Sequence, residues 1–177
     1  MSDRWVVEQA WLGDDVVGPV TLAAMGGRFT DVSLGATDGV PVLAGCAVPG
    51  FVNAHSHAFQ RDLRGAVERI DPANPDDDFW TWREEMYAQA GAMDPARIHD
   101  VARRCYRQMR ASGVTAVGEF HYVHHQPDGT PYEDRTILSQ AIIEAARAEG
   151  LRIALLDRKS TRLNSSHVRT SRMPSSA

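Results

Sequence analysis

The sequence predicts an α/β protein in which a small β domain, residues 1–47, precedes strand–helix units over residues 48–156. In the first segment, short β-leaning runs are separated by turn signals such as Gly26-Gly27 and Asp38-Gly39. After residue 48, apolar strand-like runs alternate with stretches of helical periodicity. That alternation is typical of βα units that build a parallel sheet.

The elements of the first segment are three β-leaning runs over residues 5–12, 16–24 and 29–34. The second segment opens with the apolar run 48–53, which suits a strand buried on both faces, as in a parallel sheet. Pro75 and the three aspartates that follow it predict a loop and the start of a helix.

The next helix has clear boundaries, because Asp94 is a good N-cap, Pro95 suits the first helical position and Gly113 ends the pattern. Residues 114–120 then predict a second strand. Residues 137–145 predict an amphipathic helix that ends at Gly150, and residues 151–156 predict a third strand.

Two histidines at the end of the first strand are the most informative feature of the chain. His55 and His57 are separated by one residue, and residues i and i+2 of a strand point to the same face. Neutral imidazole is a common ligand of zinc and similar divalent ions. The alternative is a pair of turn histidines bonded to nearby backbone, since two ligands alone do not make a catalytic zinc site.

The surrounding string PGFVNAHSHAFQR, residues 49–61, resembles the first barrel strand of the amidohydrolase superfamily. The resemblance implies a metal-bearing (β/α)8 barrel, of which this chain contains the start, preceded by an incomplete N-terminal β domain. It implies that His55 and His57 bind one divalent metal ion, with Zn²⁺ expected. A complete barrel needs about 250 residues, so residues 48–156 are expected to be the first βα units of a truncated barrel.

Two further strings, FWTWR at residues 79–83 and EFHYVHH at residues 119–125, resemble the formimidoylglutamate deiminases within that superfamily. The resemblance implies metal-dependent hydrolysis of N-formimino-L-glutamate to N-formyl-L-glutamate and ammonia in histidine degradation. The remaining metal ligands and the catalytic acid/base groups are expected beyond Leu156. The catalytic residues are therefore unknown, and the fragment itself is expected to be inactive.

The same resemblance implies that Arg83 and Tyr122 hold the substrate carboxylates and that Gln60 lies near the reacting group. An arginine fork suits bidentate recognition of a carboxylate. The alternatives are that Arg83 is a surface arginine of a helix, that Tyr122 is a half-buried tyrosine of a loop, and that Gln60 caps a turn. Trp80 and Trp82 are expected to pack rather than to contact a ligand.

The other histidines are expected to be supporting groups. His121, His124 and His125 cluster after the second strand, but His124 and His125 are adjacent and would face opposite sides of a strand. We expect these three histidines to support the site, and metal ligation is the alternative role. His99 lies in a helix without a partner motif and is not expected to take part in catalysis.

Composition and charge predict a soluble cytoplasmic protein. Hydrophobic residues make up 43% and charged residues 24%, and the formal net charge is −4. The two cysteines, Cys46 and Cys105, form no recognised motif, which fits a reducing compartment. We expect a small-molecule substrate, no nucleic-acid partner and no membrane association, with room for a homodimer when full length.

The last segment, residues 157–177, differs from the rest, with five Lys/Arg, one Asp and no apolar periodicity. Residues 157–167 and 171–177 can be encoded by DNA that resembles the two constant arms of a short-read sequencing adapter. We expect this segment to be adapter read-through and therefore not part of the native fold.

Two alternative functions remain open at this stage. One is a sibling amidohydrolase, such as a guanine- or adenosine-type deaminase or imidazolonepropionase, which should lack FWTWR and EFHYVHH. The other is a non-enzymatic metal-binding or interaction module that uses the basic tail as its partner surface, which requires residues 157–177 to be native.

Overall fold

The computed structural model describes residues 3–65 and 79–157, with side chains described from residue 82 onward in the second range. The loop predicted at residues 75–78 and almost all of the segment predicted to be adapter-derived lie outside these ranges. The chain divides into two compact units, Met1–Gly50 and Phe51–Ala177.

The first unit is a five-stranded sheet. Its strands are β1 (Asp3–Leu12), β2 (Asp15–Val17), β3 (Val20–Met25), β4 (Arg28–Leu34) and β5 (Val42–Ala47). The order is β2-β1-β3-β4 with antiparallel pairs, and β5 pairs with β1 in parallel. Val7, Ala10 and Val20 form a small core.

The β-leaning run predicted at residues 16–24 is two strands rather than one. Gly18 and Pro19, joined by a cis peptide bond, separate β2 from β3. A β-carbon on Gly18 would collide with the carbonyl oxygen of Glu8, so glycine permits the close approach of β1 there. The sequence reading did not assign β5, because its pairing with β1 joins residues that are far apart in the chain.

The second unit carries a parallel three-stranded sheet in the order β6-β7-β8, formed by β6 (Phe51–Ser56), β7 (Val114–His121) and β8 (Arg152–Asp157). A 3-10 helix, Ala58–Leu63, follows β6. The α-helices are α1 (Phe79–Gly91), α2 (Pro95–Ala111) and α3 (Ile137–Ala148). The predicted strand–helix alternation is confirmed, whereas closure into a barrel stays a prediction.

The boundaries of α2 are those that the sequence predicts. The carboxylate of Asp94 accepts a hydrogen bond from the backbone N–H of Arg97 at 2.8 Å, and Pro95 is the first helical residue. Gly113 follows the helix with a φ of 84°, a left-handed conformation that glycine adopts at no steric cost. Capping therefore fixes both ends of the helix that precedes β7.

The expectation that residues 48–53 form a strand buried on both faces is wrong for this structure. The strand begins at Phe51, and the side chains of Phe51 and Val52 are 59% and 67% exposed. The physical reason is that β7 is the one neighbour of β6 among the described strands.

Alternate residues of β7 face different surroundings. Val117, Glu119 and His121 are buried, and Val117 belongs to the core formed with α2 and α3. Phe120, between two of them, has its ring against His55. This alternation is the ordinary period of a β-strand, and it separates core-forming from site-facing residues. No described helix is both long enough and apolar enough to cross a membrane.

Candidate metal centre and substrate site

The two histidines of the predicted metal pair converge at the end of β6. His55 lies in β6, and His57 follows its last residue, Ser56. Their Nε2 atoms are 3.0 Å apart. The pairing of β6 with β7 shifts register between Asn53 and Ser56, and such irregularities re-aim side chains next to functional sites.

The backbone of β7 holds the ring of His57. Nδ1 of His57 lies 2.9 Å from the carbonyl oxygen of Phe120. A carbonyl can only accept, so Nδ1 carries the proton and Nε2 presents its lone pair toward His55. The ring of Phe120 stacks on His55 with centroids 4.3 Å apart. One residue of β7 therefore contacts both imidazoles.

This geometry fits a shared metal ion. A zinc–imidazole bond is about 2.0–2.1 Å long, so two nitrogens on one ion must lie within about 4.2 Å of each other. The 3.0 Å separation of the Nε2 atoms of His55 and His57 meets that limit. Within residues 3–65 and 79–157, no third His, Cys, Asp or Glu completes a metal-binding group with them.

Gln60 and Tyr122 lie together beside the pair. The side-chain amide of Gln60 donates a hydrogen bond to the Tyr122 hydroxyl at 2.7 Å, and the Tyr122 ring meets the His57 ring edge-on at 5.1 Å. Burial raises the pKa of the Tyr122 hydroxyl, which keeps its proton near neutral pH and can donate it to a substrate. Phe59 also contacts the Tyr122 ring in a T-shaped arrangement, with centroids 5.2 Å apart.

Arg83 lies on α1 and is held by a residue one turn later. Its Nε donates to the Tyr87 hydroxyl at 3.0 Å, and its guanidinium carbon lies 5.1 Å from the centre of the Tyr87 ring. Met86, on the same helix, places its sulfur 4.0 Å from the Tyr122 hydroxyl. The helix that carries Arg83 therefore borders the Gln60–Tyr122 pair. The spacing of four residues from Arg83 to Tyr87 was a signal in the sequence.

Glu119 is a buried carboxylate near the end of β7, and the sequence alone indicates no role for it. Its side chain is fully buried, and one oxygen accepts the backbone N–H of Ala58 at 2.6 Å. Burial raises the pKa of the Glu119 carboxyl, whereas the Ala58 N–H and the hydroxyls of Ser56 and Tyr106 act in the opposite direction. A glutamate between apolar residues of a buried strand was the available signal.

The remaining histidines lie apart from the pair. His121 is fully buried, and burial lowers its pKa to about 4, so its ring is neutral near pH 7. His124 contacts the His121 ring edge-on and places Nε2 3.1 Å from a carboxylate oxygen of Asp157. The backbone of His125 forms an isolated antiparallel β-bridge with Pro131, and His99 lies on α2 beside Asp100.

Trp82 packs against the core of the second unit, in keeping with the expected packing role, while the side chain of Trp80 lies outside the described residues. Cys105 is packed in the same place, and burial raises the pKa of its thiol to about 11. Neither residue adds a reactive group to the site.

The chain is similar to known proteins over most of its length. The model of the Amidohydrolase family matches residues 46–173. This match extends into the segment predicted to be adapter-derived, whose origin stays a prediction. A formimidoylglutamate deiminase from Pseudomonas aeruginosa is 47% identical over 119 residues, which cover 67% of this chain and 26% of that protein. The chain thus spans about a quarter of the length of this curated relative.

Solved structures show the same similarity. An amidohydrolase from Brucella melitensis has a TM-score of 0.80 at 38% identity, covering 87% of this chain and 34% of that one. The atrazine chlorohydrolase TrzN from Arthrobacter aurescens, solved with zinc and atraton as a mutant, has a TM-score of 0.62 at 22% identity, covering 85% and 35%. The second likeness concerns the fold alone. From its matched residues and from these relatives, the chain belongs to the amidohydrolase family.

Proposed function

We propose that the full-length protein is a metal-dependent deiminase that hydrolyses N-formimino-L-glutamate to N-formyl-L-glutamate and ammonia. The observation that carries the proposal is the convergence of the His55 and His57 Nε2 atoms, 3.0 Å apart, beside the hydrogen-bonded Gln60 and Tyr122. The 47% identity to a formimidoylglutamate deiminase supports the choice of substrate.

His55 and His57 would hold the metal ion, together with ligands that other parts of the full-length chain would supply. When bound, a divalent ion supplies the Lewis acidity that makes water nucleophilic near neutral pH. The Phe120 carbonyl keeps the proton of His57 on Nδ1 and thereby leaves Nε2 available. Zinc is the expected ion, because imidazole suits it well.

The substrate carries two carboxylates, and Arg83 and Tyr122 are the groups proposed to bind them. Arg83 offers a planar cation whose direction is set by Tyr87, and a charge-assisted hydrogen bond in a partly buried site is stronger than a neutral one. Gln60 is proposed to lie near the formimino group, since its amide already bonds the Tyr122 hydroxyl next to His57.

The reaction adds water across the C=N bond of the formimino group. The water oxygen forms a bond to the formimino carbon, the bond from carbon to the terminal nitrogen breaks, and that nitrogen leaves as ammonia with the protons released by water. A positioned acid/base moves these protons. We propose that this group lies outside residues 1–156, together with the remaining metal ligands.

The test is a steady-state assay of ammonia release by the zinc-loaded full-length protein. The proposal expects turnover of N-formimino-L-glutamate, with N-formyl-L-glutamate as the product identified by mass spectrometry. Guanine and adenosine serve as comparison substrates. Efficient deamination of either one, with none of N-formimino-L-glutamate, would assign the protein to a sibling activity instead.

A further inference from the structure

Two consecutive residues of β7 grip the turn that carries His57. The Phe120 carbonyl oxygen lies 2.9 Å from Nδ1 of His57, and a carboxylate oxygen of Glu119 accepts the backbone N–H of Ala58 at 2.6 Å. The first contact fixes the ring, and the second fixes the main chain immediately after it. Neither contact alone determines where Nε2 of His57 points, because the ring also turns with the backbone that carries it.

Burying the Glu119 carboxylate costs free energy of folding, which favours a role for its contact with the Ala58 N–H. Its side chain is fully buried, and so is Ala58, at 1% exposure. Removing a carboxylate from water is unfavourable unless hydrogen bonds replace its hydration. In the described part of the chain, its second oxygen and the fully buried hydroxyl of Tyr106 meet no partner at full hydrogen-bond geometry, although the hydroxyls of Tyr106 and Ser56 lie close enough to lower the pKa of the carboxyl. An apolar residue would fill this space at lower cost, so stability alone does not account for a glutamate here.

We propose that Glu119 is a positioning residue of the metal centre: it holds the main chain at Ala58 so that the His57 ring stays on the Phe120 carbonyl with Nε2 directed at His55. This inference rests on the proposed function in one respect, namely that His55 and His57 bind a metal. Glu119 itself is not a ligand, and it acts through the 3-10 helix that begins at Ala58.

The experiment compares two substitutions in the full-length protein. Glu119→Leu keeps the approximate volume but removes the acceptor, whereas Glu119→Gln keeps an acceptor oxygen for the Ala58 N–H and removes the charge. Val117→Ala is the matched control, because Val117 lies two residues earlier on the same buried face of β7, at 2% exposure. It removes two methyl groups from the core and leaves the carboxylate that accepts the Ala58 N–H in place.

Three readouts separate positioning from general stability. Zinc affinity is measured by competition with a chelator, the His57 tautomer by the nitrogen chemical shifts of its ring in the metal-free protein, and the Ala58 amide by hydrogen exchange. Glu119→Leu should lower zinc affinity about 10- to 100-fold, as loss of a supporting contact to a ligand does. It should also mix the two His57 tautomers and expose the Ala58 amide to exchange. Glu119→Gln should keep all three near wild type.

Several outcomes would overturn the inference. One is a Glu119→Leu variant with wild-type zinc affinity and a single His57 tautomer. Another is an equal loss of affinity in Val117→Ala, which would make the effect one of stability. Should Glu119→Leu not fold, a drop of tenfold or more in zinc affinity in a folded Glu119→Gln would reject the acceptor role. If the wild type bound no zinc, the proposed function would fail, while the tautomer in metal-free protein would still judge Glu119.

Discussion

A β-carbon placed on Gly118 would lie 2.8 Å from the carbonyl oxygen of Ala54, the residue directly before His55. Real β-carbons essentially never approach a backbone atom so closely, so β6 and β7 can meet here only because residue 118 has no side chain. The close approach also lies where the register of the two strands shifts. Gly118 therefore sets the distance between the strand that carries His55 and the strand that supports His57.

Gly118→Ala is accordingly expected to push β6 away from β7. We expect a loss of about 1–3 kcal/mol in the free energy of unfolding, the usual cost of overpacking, and a fall in zinc affinity of the full-length protein. Thermal unfolding and chelator competition measure the two effects. Gly91→Ala is the control, since a β-carbon there meets no atom within 4 Å, and it should change neither quantity much. Unchanged zinc affinity in Gly118→Ala would contradict the expectation.

Replacing both His55 and His57 by Ala should abolish metal binding and activity together in the full-length protein. Loss of a group that only supports a ligand lowers metal affinity or activity about 10–100-fold, so a complete loss distinguishes true ligands from supporting groups. Metal content by elemental analysis and ammonia release by assay give the two numbers. His99→Ala, at a half-buried position of α2, is the control and should keep both. Full metal occupancy in the double variant would refute the ligand assignment.

Arg83→Met should reduce kcat/KM for N-formimino-L-glutamate while leaving metal content intact. A lost charge-assisted hydrogen bond costs about 1.5–3 kcal/mol, or roughly 10- to 160-fold in rate. The loss should be much smaller for a substrate analogue that lacks the carboxylate bound by Arg83. Arg97→Met, an exposed arginine of the neighbouring helix, is the control. Equal losses on both substrates would instead mean that Arg83 has a structural role.

The stability that Glu149 contributes to the fold is expected to decrease at acid pH. Hydrogen bonds from Arg107 and Arg103, at 2.9 Å and 2.7 Å, lower the pKa of its carboxyl to about 2. A pKa that is lower in the folded than in the unfolded state contributes stability above the unfolded value, which is about 4.3, and that contribution is lost as pH falls toward 2. The Tm difference between wild type and Glu149→Gln should therefore shrink over this window.

Because the side chains of Arg103 and Arg107 that pair with Glu149 are 45% and 61% exposed, high salt should also reduce that Tm difference. Glu144→Gln, on an exposed position of α3, the helix that ends just before Glu149, is the matched control and should show no comparable pH-dependent difference. A Tm difference for Glu149→Gln that is constant from pH 5 to pH 2 would show that the ion pairs with α2 do not set the effect.

The basic segment at residues 157–177 is proposed to derive from a sequencing adapter. Sequencing of unamplified genomic DNA should show a different continuation after Leu156. In that case the contact of His124 with Asp157 would not belong to the native protein, although the β8 pairing before it would remain. Genomic DNA that encodes residues 158–177 as given would remove this proposal and restore the basic tail as a candidate interaction segment.

Local chemistry made much of the second unit predictable. Asp94, Pro95 and Gly113 specify the ends of α2 through capping and backbone conformation, which depend on few neighbouring residues. The convergence of His55 and His57 was likewise expected from their spacing, although their role as ligands stays a prediction.

What the sequence could not show depends on contacts between distant segments. The Phe120 carbonyl that holds His57 is a backbone group, and any residue could supply it. The pairing of β5 with β1 and the exposure of Phe51 both follow from which strands lie side by side, and periodicity within one strand does not encode that. The break at Gly18-Pro19, by contrast, has a local signal, because glycine and proline interrupt strands.

The alternation along β7 has a consequence for how this segment can change. Val117, Glu119 and His121 are buried on one face, while Phe120, between the last two, lies against the ring of His55. Insertion or deletion of one residue would exchange the two sets, directing a carboxylate at the imidazoles and an aromatic ring at the helices. A substitution leaves every other side chain of the strand on its own face, whereas a change of one residue in length does not. The function of β7 therefore depends more on the number of residues in the strand than on the type of each residue.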